Sequence, residues 1–169
     1  MRNIEIKARV HNESLVRDYM RTHGTRHEIQ QQRDVFFHAP HGRLKLRCFP
    51  DGTGVLVAYD RPDSSGPKLS DYLLAPVPDA AACEAALARS LGVRGIVEKK
   101  RAIAIVGQTR IHLDEVRHLG LFLELEVVLH PDQEHQAGEA IATNLMRDLQ
   151  IHPADLLETA YIDLLEQRS

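Results

Sequence analysis

No stretch of this chain stays apolar for the roughly 18 residues a membrane-spanning helix needs, and its start, Met1-Arg2-Asn3-Ile4-Glu5, lacks the apolar core of a secretory signal. The expected location is the cytoplasm, with no membrane partner. Cysteine is scarce as well. Cys48 and Cys83 are the only two, and in a reducing compartment they are expected as small buried hydrophobes, not as a disulfide. Basic charge is not in excess: 21 Lys and Arg stand against 24 Asp and Glu, a net −3, which argues against nucleic acid as a partner. There is no Gly-rich phosphate loop of the Walker type, no G-x-G-x-x-G after a strand and no nucleophile elbow. The usual nucleotide folds are therefore unsupported, and any anion must be held by a local cluster.

A chain of 169 residues, 43% hydrophobic and 27% charged, is that of one globular domain spanning residues 1–169. Eight runs read as strands by period-2 alternation: 2–10, 26–38, 43–49, 55–61, 69–75, 95–106, 109–116 and 121–129. Turn signals at Ala39-Pro40-His41-Gly42, Pro50-Asp51-Gly52-Thr53-Gly54 and Gly107-Gln108 make the sheet largely antiparallel. Four helices are expected. Asn12 caps one that Gly24 ends, Asp79 opens a second that Gly92 stops, and two more run over 131–149 and 153–165. Arg61-Pro62-Asp63-Ser64-Ser65-Gly66-Pro67 reads as a loop within the domain. The fold class is α+β: eight antiparallel strands are about the number that closes into a barrel able to hold a small ligand, here flanked by helices.

Several runs carry charge on every second residue: Asn3-Glu5-Lys7-Arg9, Arg43-Lys45-Arg47, Lys99-Arg101 and Glu124-Glu126. Each such strand has one charged and one apolar face. Two carboxylates at i and i+2, such as Glu124 and Glu126, share a side and are able to hold a hard cation of the Mg²⁺ or Mn²⁺ type, with Glu5 as a third oxygen ligand. Asp114, in phase with His112, has the same ambiguity between ligand and solvated carboxylate. Three cations in a row at Arg43, Lys45 and Arg47 repel one another unless an anion lies across them, and a triphosphate supplies one. The plain alternative for every run is a solvated outer face on an edge strand. His38 and His41 flank Pro40 in a turn with no ligating neighbours in sequence, and read as a solvent loop.

In order and phase these runs resemble the CYTH superfamily of triphosphate tunnel enzymes, which includes class IV adenylyl cyclases and thiamine or inorganic triphosphatases. Its E-x-E-x-K strand is matched by Asn3-Ile4-Glu5-Ile6-Lys7. The similarity continues through Gly42-Arg43-Leu44-Lys45-Leu46-Arg47, Glu98-Lys99-Lys100-Arg101, His112-Leu113-Asp114-Glu115-Val116 and Gly120-Leu121-Phe122-Leu123-Glu124-Leu125-Glu126 to Ala160-Tyr161-Ile162-Asp163-Leu164-Leu165. The resemblance implies that Glu5 and Glu124 ligate the metal with Glu126 and Asp114 assisting, and that Lys7, Lys45, Arg47, Lys99 and Arg101 grip the phosphates. It adds Arg61 and Lys68 as basic residues near the substrate, and makes Lys7, Arg101 and Asp114 the candidate catalytic set. Asn3 stands where the family has its first Glu, which deprives a second metal site of a carboxylate. The Lys99 and Arg101 pair, the surroundings of Asp114 and the turn at His118-Leu119-Gly120 look slightly closer to the cyclase branch.

The expected substrate is thus ATP or another triphosphate such as tripolyphosphate. The reactions it allows are cyclisation to cyclic AMP and pyrophosphate, or hydrolysis as a triphosphatase. A polyphosphate or nucleotide sensor without turnover is a further alternative, and the resemblance also allows a homodimer. In this picture acid lies on the first and last strands and base between them.

Overall fold

The computed structural model describes residues 2–60 and 67–168, with the side chains of 68–70 left aside. Its eight strands are β1 (Arg2–Arg9), β2 (His27–Phe37), β3 (Arg43–Cys48), β4 (Gly54–Asp60), β5 (Lys68–Val77), β6 (Val93–Val106), β7 (Thr109–Val116) and β8 (Gly120–Val128). They close into an antiparallel barrel in the order β1-β5-β4-β3-β2-β6-β7-β8, with β8 returning to β1. Closure decides which face of each strand meets water. Alternation then places Ile4, Ile6, Leu123, Leu125 and Val127 on the outside, fully buried, while Lys7, Lys99, Arg101 and Glu124 point into the barrel.

The hydrophobic core therefore lies around the barrel, beneath helices. Val16 and Met20 of α1 (Glu13–His23) and Ala142 and Leu145 of α3 (His135–Asp148) cover the outer faces of β1, β7 and β8. Cys83, Leu87 and Leu91 of α2 (Ala80–Leu91) pack on Val35, Phe37 and Leu46. The capping residues act as expected: Asn12 Oδ1 accepts from Leu15 N–H at 3.1 Å, Asp79 Oδ1 accepts from Ala82 N–H at 2.9 Å, and Gly92 closes α2 at φ +76°. Both cysteines are free and only half-buried, each packed on one edge of the α2 cluster.

The C-terminal segment departs from the expected continuous helix over 153–165. Residues Pro153–Asp155 form one 3₁₀ turn, the chain then extends, and α4 (Tyr161–Glu166) begins afresh. The interruption has a cause. Leu156 bridges to Ala8 and Leu157 N–H donates to the Lys7 carbonyl at 2.9 Å, so a single β-bridge holds this stretch extended against β1. Asp163 then accepts from Ala160 N–H at 2.8 Å and starts the last helix. The result is a plug: Ala160, Tyr161 and Ile162 pack with Phe36, Val97, Val116 and Phe122 across one end of the barrel. The third helix also begins four residues later than expected, after a turn at 131–134.

Gly54 opens β4 where its backbone has no room for a side chain against β3. A Cβ there would lie 2.6 Å from the Arg47 carbonyl oxygen, a backbone atom held in the ladder. Gly54→Ala is expected to destabilise the fold by about 1–3 kcal/mol, since overpacking against fixed backbone outweighs the roughly 0.4–1 kcal/mol an alanine gains through the unfolded chain. Urea unfolding compared with wild type measures it; an unchanged midpoint would show that β3 and β4 separate freely here.

Candidate active site in the barrel

The barrel encloses a cavity of about 410 Å³, within the roughly 300–1,000 Å³ of small-molecule sites. Charged side chains on β1, β2, β3, β6, β7 and β8 converge on it. Its sign pattern is not the expected separation of acid from base. Each basic row instead meets a carboxylate, because neighbouring strands interleave them.

The first centre is Asp34 on β2. In register with Arg47, it accepts from Arg47 Nε and Nη2 at 2.8 Å each and from Lys45 Nζ at 2.8 Å, with Lys99 Nζ at 3.6 Å. Burial pushes its carboxyl up, but Arg47, Lys45 and Lys99 together outweigh burial and hold it well below the usual carboxylate range. The second centre is Glu124 on β8. Its Oε1 lies 2.9 Å from Lys7 Nζ and its Oε2 lies 2.5 Å from Arg101 Nη2. Here too burial raises the pKa, and Lys7 and Arg101 reverse it to a value well below the usual range. Arg101 is held from behind by Asp114 in a two-pronged pair at 2.7 and 2.6 Å, and the Tyr161 hydroxyl donates to Asp114 at 3.0 Å. Burial, with Asp114 and Glu124 beside it, raises the Tyr161 phenol well above its ordinary value, so it remains a donor.

Lys99 sits between these centres, 3.6 Å from Asp34 and 3.7 Å from Asp114. Burial, with Arg101 next to it, pushes its ammonium down to about 7. A polyanion laid beside Lys99 favours the charged form, so binding must draw in a proton. At pH 8 the wild type is expected to take up about one proton more than Lys99→Met on binding tripolyphosphate, the difference shrinking toward pH 6, where Lys99 is already charged. Calorimetry in two buffers of different ionisation enthalpy measures this. Equal uptake by the two proteins would remove Lys99 from the site.

A third group joins β7 and β8. His112, paired in register with Glu124, buries its ring, and one ligand atom each of His112, Glu124 and Glu126 fall within 4.8 Å of one another. Glu5 lies opposite Glu126 across the β1–β8 ladder and lines the same cavity. These donors suit a divalent cation: carboxylates kept ionised by nearby cations, beside an imidazole nitrogen. The remaining wall is different. Among the described side chains of β4 and β5, those that line the cavity are Val55, Val57, Tyr59, Tyr72 and Leu74, which carry no charge.

A family model for the CYTH domain matches residues 1–161. The chain belongs to the CYTH family. No curated protein matches it. Among solved structures it is similar to the PH1012 protein of Pyrococcus horikoshii OT3, at 25% identity and TM-score 0.84, over 96% of this chain and 98% of that one. It also shares its fold with a Vibrio parahaemolyticus protein described as a "putative adenylate cyclase", at 20% identity and TM-score 0.78, over 97% of each chain. The Pct1 RNA triphosphatase of Schizosaccharomyces pombe aligns at 12% identity and TM-score 0.52, over 98% of this chain and 83% of that one. CYTH proteins bind triphosphate substrates and typically process them with divalent metals.

Within this CYTH family fold the residues singled out from sequence fall into four groups. Lys7, Lys45, Arg47, Lys99, Arg101, Glu5, Glu124 and Glu126 line one cavity. Asp114 lies fully buried behind Arg101. Arg43 is elsewhere: its Nη2 is 3.5 Å from Asp163 of α4, and it lines a separate 240 Å³ recess with Arg94, so it ties the plug helix to the barrel. Lys68 begins β5 opposite Glu5 in register, while Arg61 and the rest of the expected loop up to Gly66 lie outside the described residues. Sequence reasoning missed Asp34, His112 and Tyr161. The signal for Asp34 was present in the polar alternation Glu28-Gln30-Gln32-Asp34, all four of which line the tunnel. No helix is long and apolar enough to cross a membrane among the described residues.

Proposed function

We propose that this CYTH protein is a divalent-metal-dependent enzyme that acts on a nucleoside triphosphate, in the manner of class IV adenylyl cyclase, converting ATP to cyclic AMP and pyrophosphate. The observation that carries the reading is the division of the tunnel wall. Lys45, Arg47, Lys99 and Arg101 supply cations for a phosphate chain, whereas Val55, Val57, Tyr59, Tyr72 and Leu74 form an uncharged surface of the kind a nucleobase packs on. Inorganic triphosphate has no part that would gain from such a wall.

Cyclisation forms a bond from the ribose 3′-oxygen to the α-phosphorus, breaks the bond from that phosphorus to the pyrophosphate and releases the 3′-hydroxyl proton to water. Little covalent help is needed from protein; placement and charge neutralisation do the work. Lys7 and Arg101 neutralise charge on the departing pyrophosphate. Asp114, which has no open face, fixes the Arg101 guanidinium in place and so acts as a positioning residue. Glu124, Glu126 and Glu5 would hold a divalent metal, which would supply Lewis-acid neutralisation of phosphate charge and acidify the attacking hydroxyl. Lys45, Arg47 and Lys99 hold the rest of the chain in line for the attack.

The test is direct. Protein incubated with ATP and Mn²⁺ or Mg²⁺ is expected to yield equal amounts of cyclic AMP and pyrophosphate, separated by ion-exchange chromatography. Release of phosphate from ATP without cyclic AMP would move the reading to a triphosphatase. Turnover of tripolyphosphate with none of ATP would remove the nucleoside altogether.

A further inference from the structure

His112 buries its imidazole on β7 at 3% exposure, and its Nδ1 has no hydrogen-bond partner among the described residues. Leaving a buried polar atom unpaired is costly, and the surroundings of Nδ1 supply a reason for it. Nδ1 faces two carboxylate oxygens, Glu124 Oε2 and Glu126 Oε1, each at 3.7 Å. That is beyond hydrogen-bonding range. It is, however, the spacing of ligands around one ion: bonds of about 2.1 Å put two ligands about 3.4 Å apart in a tetrahedron and about 4.2 Å apart when opposite. The cations nearby keep the carboxylates ionised without occupying Nδ1: Lys7 and Arg101 approach Glu124, and Arg110 lies 3.6 Å from Glu126.

We infer that His112 Nδ1 is a direct metal ligand alongside Glu124 and Glu126, and that it turns the tunnel's cation site toward Mn²⁺, Co²⁺ and Zn²⁺ at the expense of Mg²⁺. Mg²⁺ prefers an all-oxygen shell and sheds water reluctantly, whereas imidazole nitrogen suits the transition ions. The tautomer protonated on Nε2 leaves the Nδ1 lone pair directed at the site. The inference rests on the metal-dependent reading of the tunnel, yet it needs neither nucleotide nor turnover to be tested.

Wild-type protein loaded with Mn²⁺ alone is examined by pulsed EPR, and the affinities for Mg²⁺, Mn²⁺ and Co²⁺ are measured by calorimetry. The expected spectrum contains a directly coupled ¹⁴N nucleus. His112→Asp, which exchanges nitrogen for oxygen, is expected to lose that coupling and to shift the Co²⁺-to-Mg²⁺ affinity ratio by about tenfold or more toward Mg²⁺. Bound Mn²⁺ without nitrogen coupling in the wild type overturns the assignment, and this measurement requires no variant to fold. An unchanged ratio in a folded His112→Asp protein overturns the preference. Absence of Mn²⁺ binding overturns the centre itself, while cyclic AMP formation from ATP is scored separately and decides the proposed reaction on its own.

Discussion

Replacing Glu124 by Gln is expected to reduce turnover at least about a thousandfold, the upper end of what loss of one electrostatic contact in an active site costs. The size follows from how many jobs one carboxylate holds. Glu124 accepts from Lys7 at 2.9 Å and Arg101 at 2.5 Å, and it is one of the three donors facing the candidate cation. The amide keeps the shape and removes the charge, so Lys7 loses the anion that aligns it, Arg101 is left with Asp114 alone, and the candidate metal site loses a ligand at the same time. Breaking a buried pair from one side also costs about 3–5 kcal/mol, a fall of roughly 10 °C in melting temperature for a chain of this size. Tripolyphosphate brings negative charge back to the same cations, so it should restore part of the lost stability without restoring rate. Full activity in Glu124→Gln would sink both the metal assignment and the role given to Lys7.

Much of this arrangement is legible in the sequence because a strand has a period of two residues. Glu5 and Lys7, Lys45 and Arg47, Lys99 and Arg101, and Glu124 and Glu126 declare their shared faces without any knowledge of the fold. Phase alone does not say whether a face is inside or outside. Closure of the barrel decides that, and it reverses the habit of globular sheets by placing Ile4, Leu125 and Val127 outward under helices. Asp34 escaped notice for a related reason. It directly precedes Val35-Phe36-Phe37, which reads as a buried apolar run, and its ion partners lie on β3 and β6, neighbours that register alone reveals. Tyr161 falls within the helix expected over 153–165, where nothing in the sequence singles out its hydroxyl. Its contact with Asp114 arises because the chain breaks at Leu156 to pair with β1, an interaction 148 residues away in sequence that local propensity does not carry. Arg43 shows the converse. It has the same phase as Lys45 and Arg47, but it lies at the plugged end, where Asp163 takes it.

The same geometry gives Asp34 a role opposite to that of Glu124. Both are buried carboxylates beside cations, but Asp34 lies only among the cations proposed for the phosphates and outside the group of donors facing the metal. It occupies the position of a phosphate oxygen: Lys45, Arg47 and Lys99 converge on it as they would on a bound chain. Asp34→Asn should therefore separate stability from binding. Without ligand, three cations share a neutral amide, and the variant is expected to be less stable by about 3–5 kcal/mol. The pH dependence follows from sign. The Asp34 carboxyl is held well below its unfolded value, so its contribution is present above about pH 4 and is lost as pH falls through the lower, folded value. Asp34→Asn should accordingly be flatter than wild type on the acid side of a stability profile. Tripolyphosphate, no longer competing with the carboxylate, should raise the melting temperature of Asp34→Asn by more degrees than it raises that of the wild type. An equal or smaller rise in the variant would mean that Asp34 helps to hold the cations for the substrate instead of standing in for it.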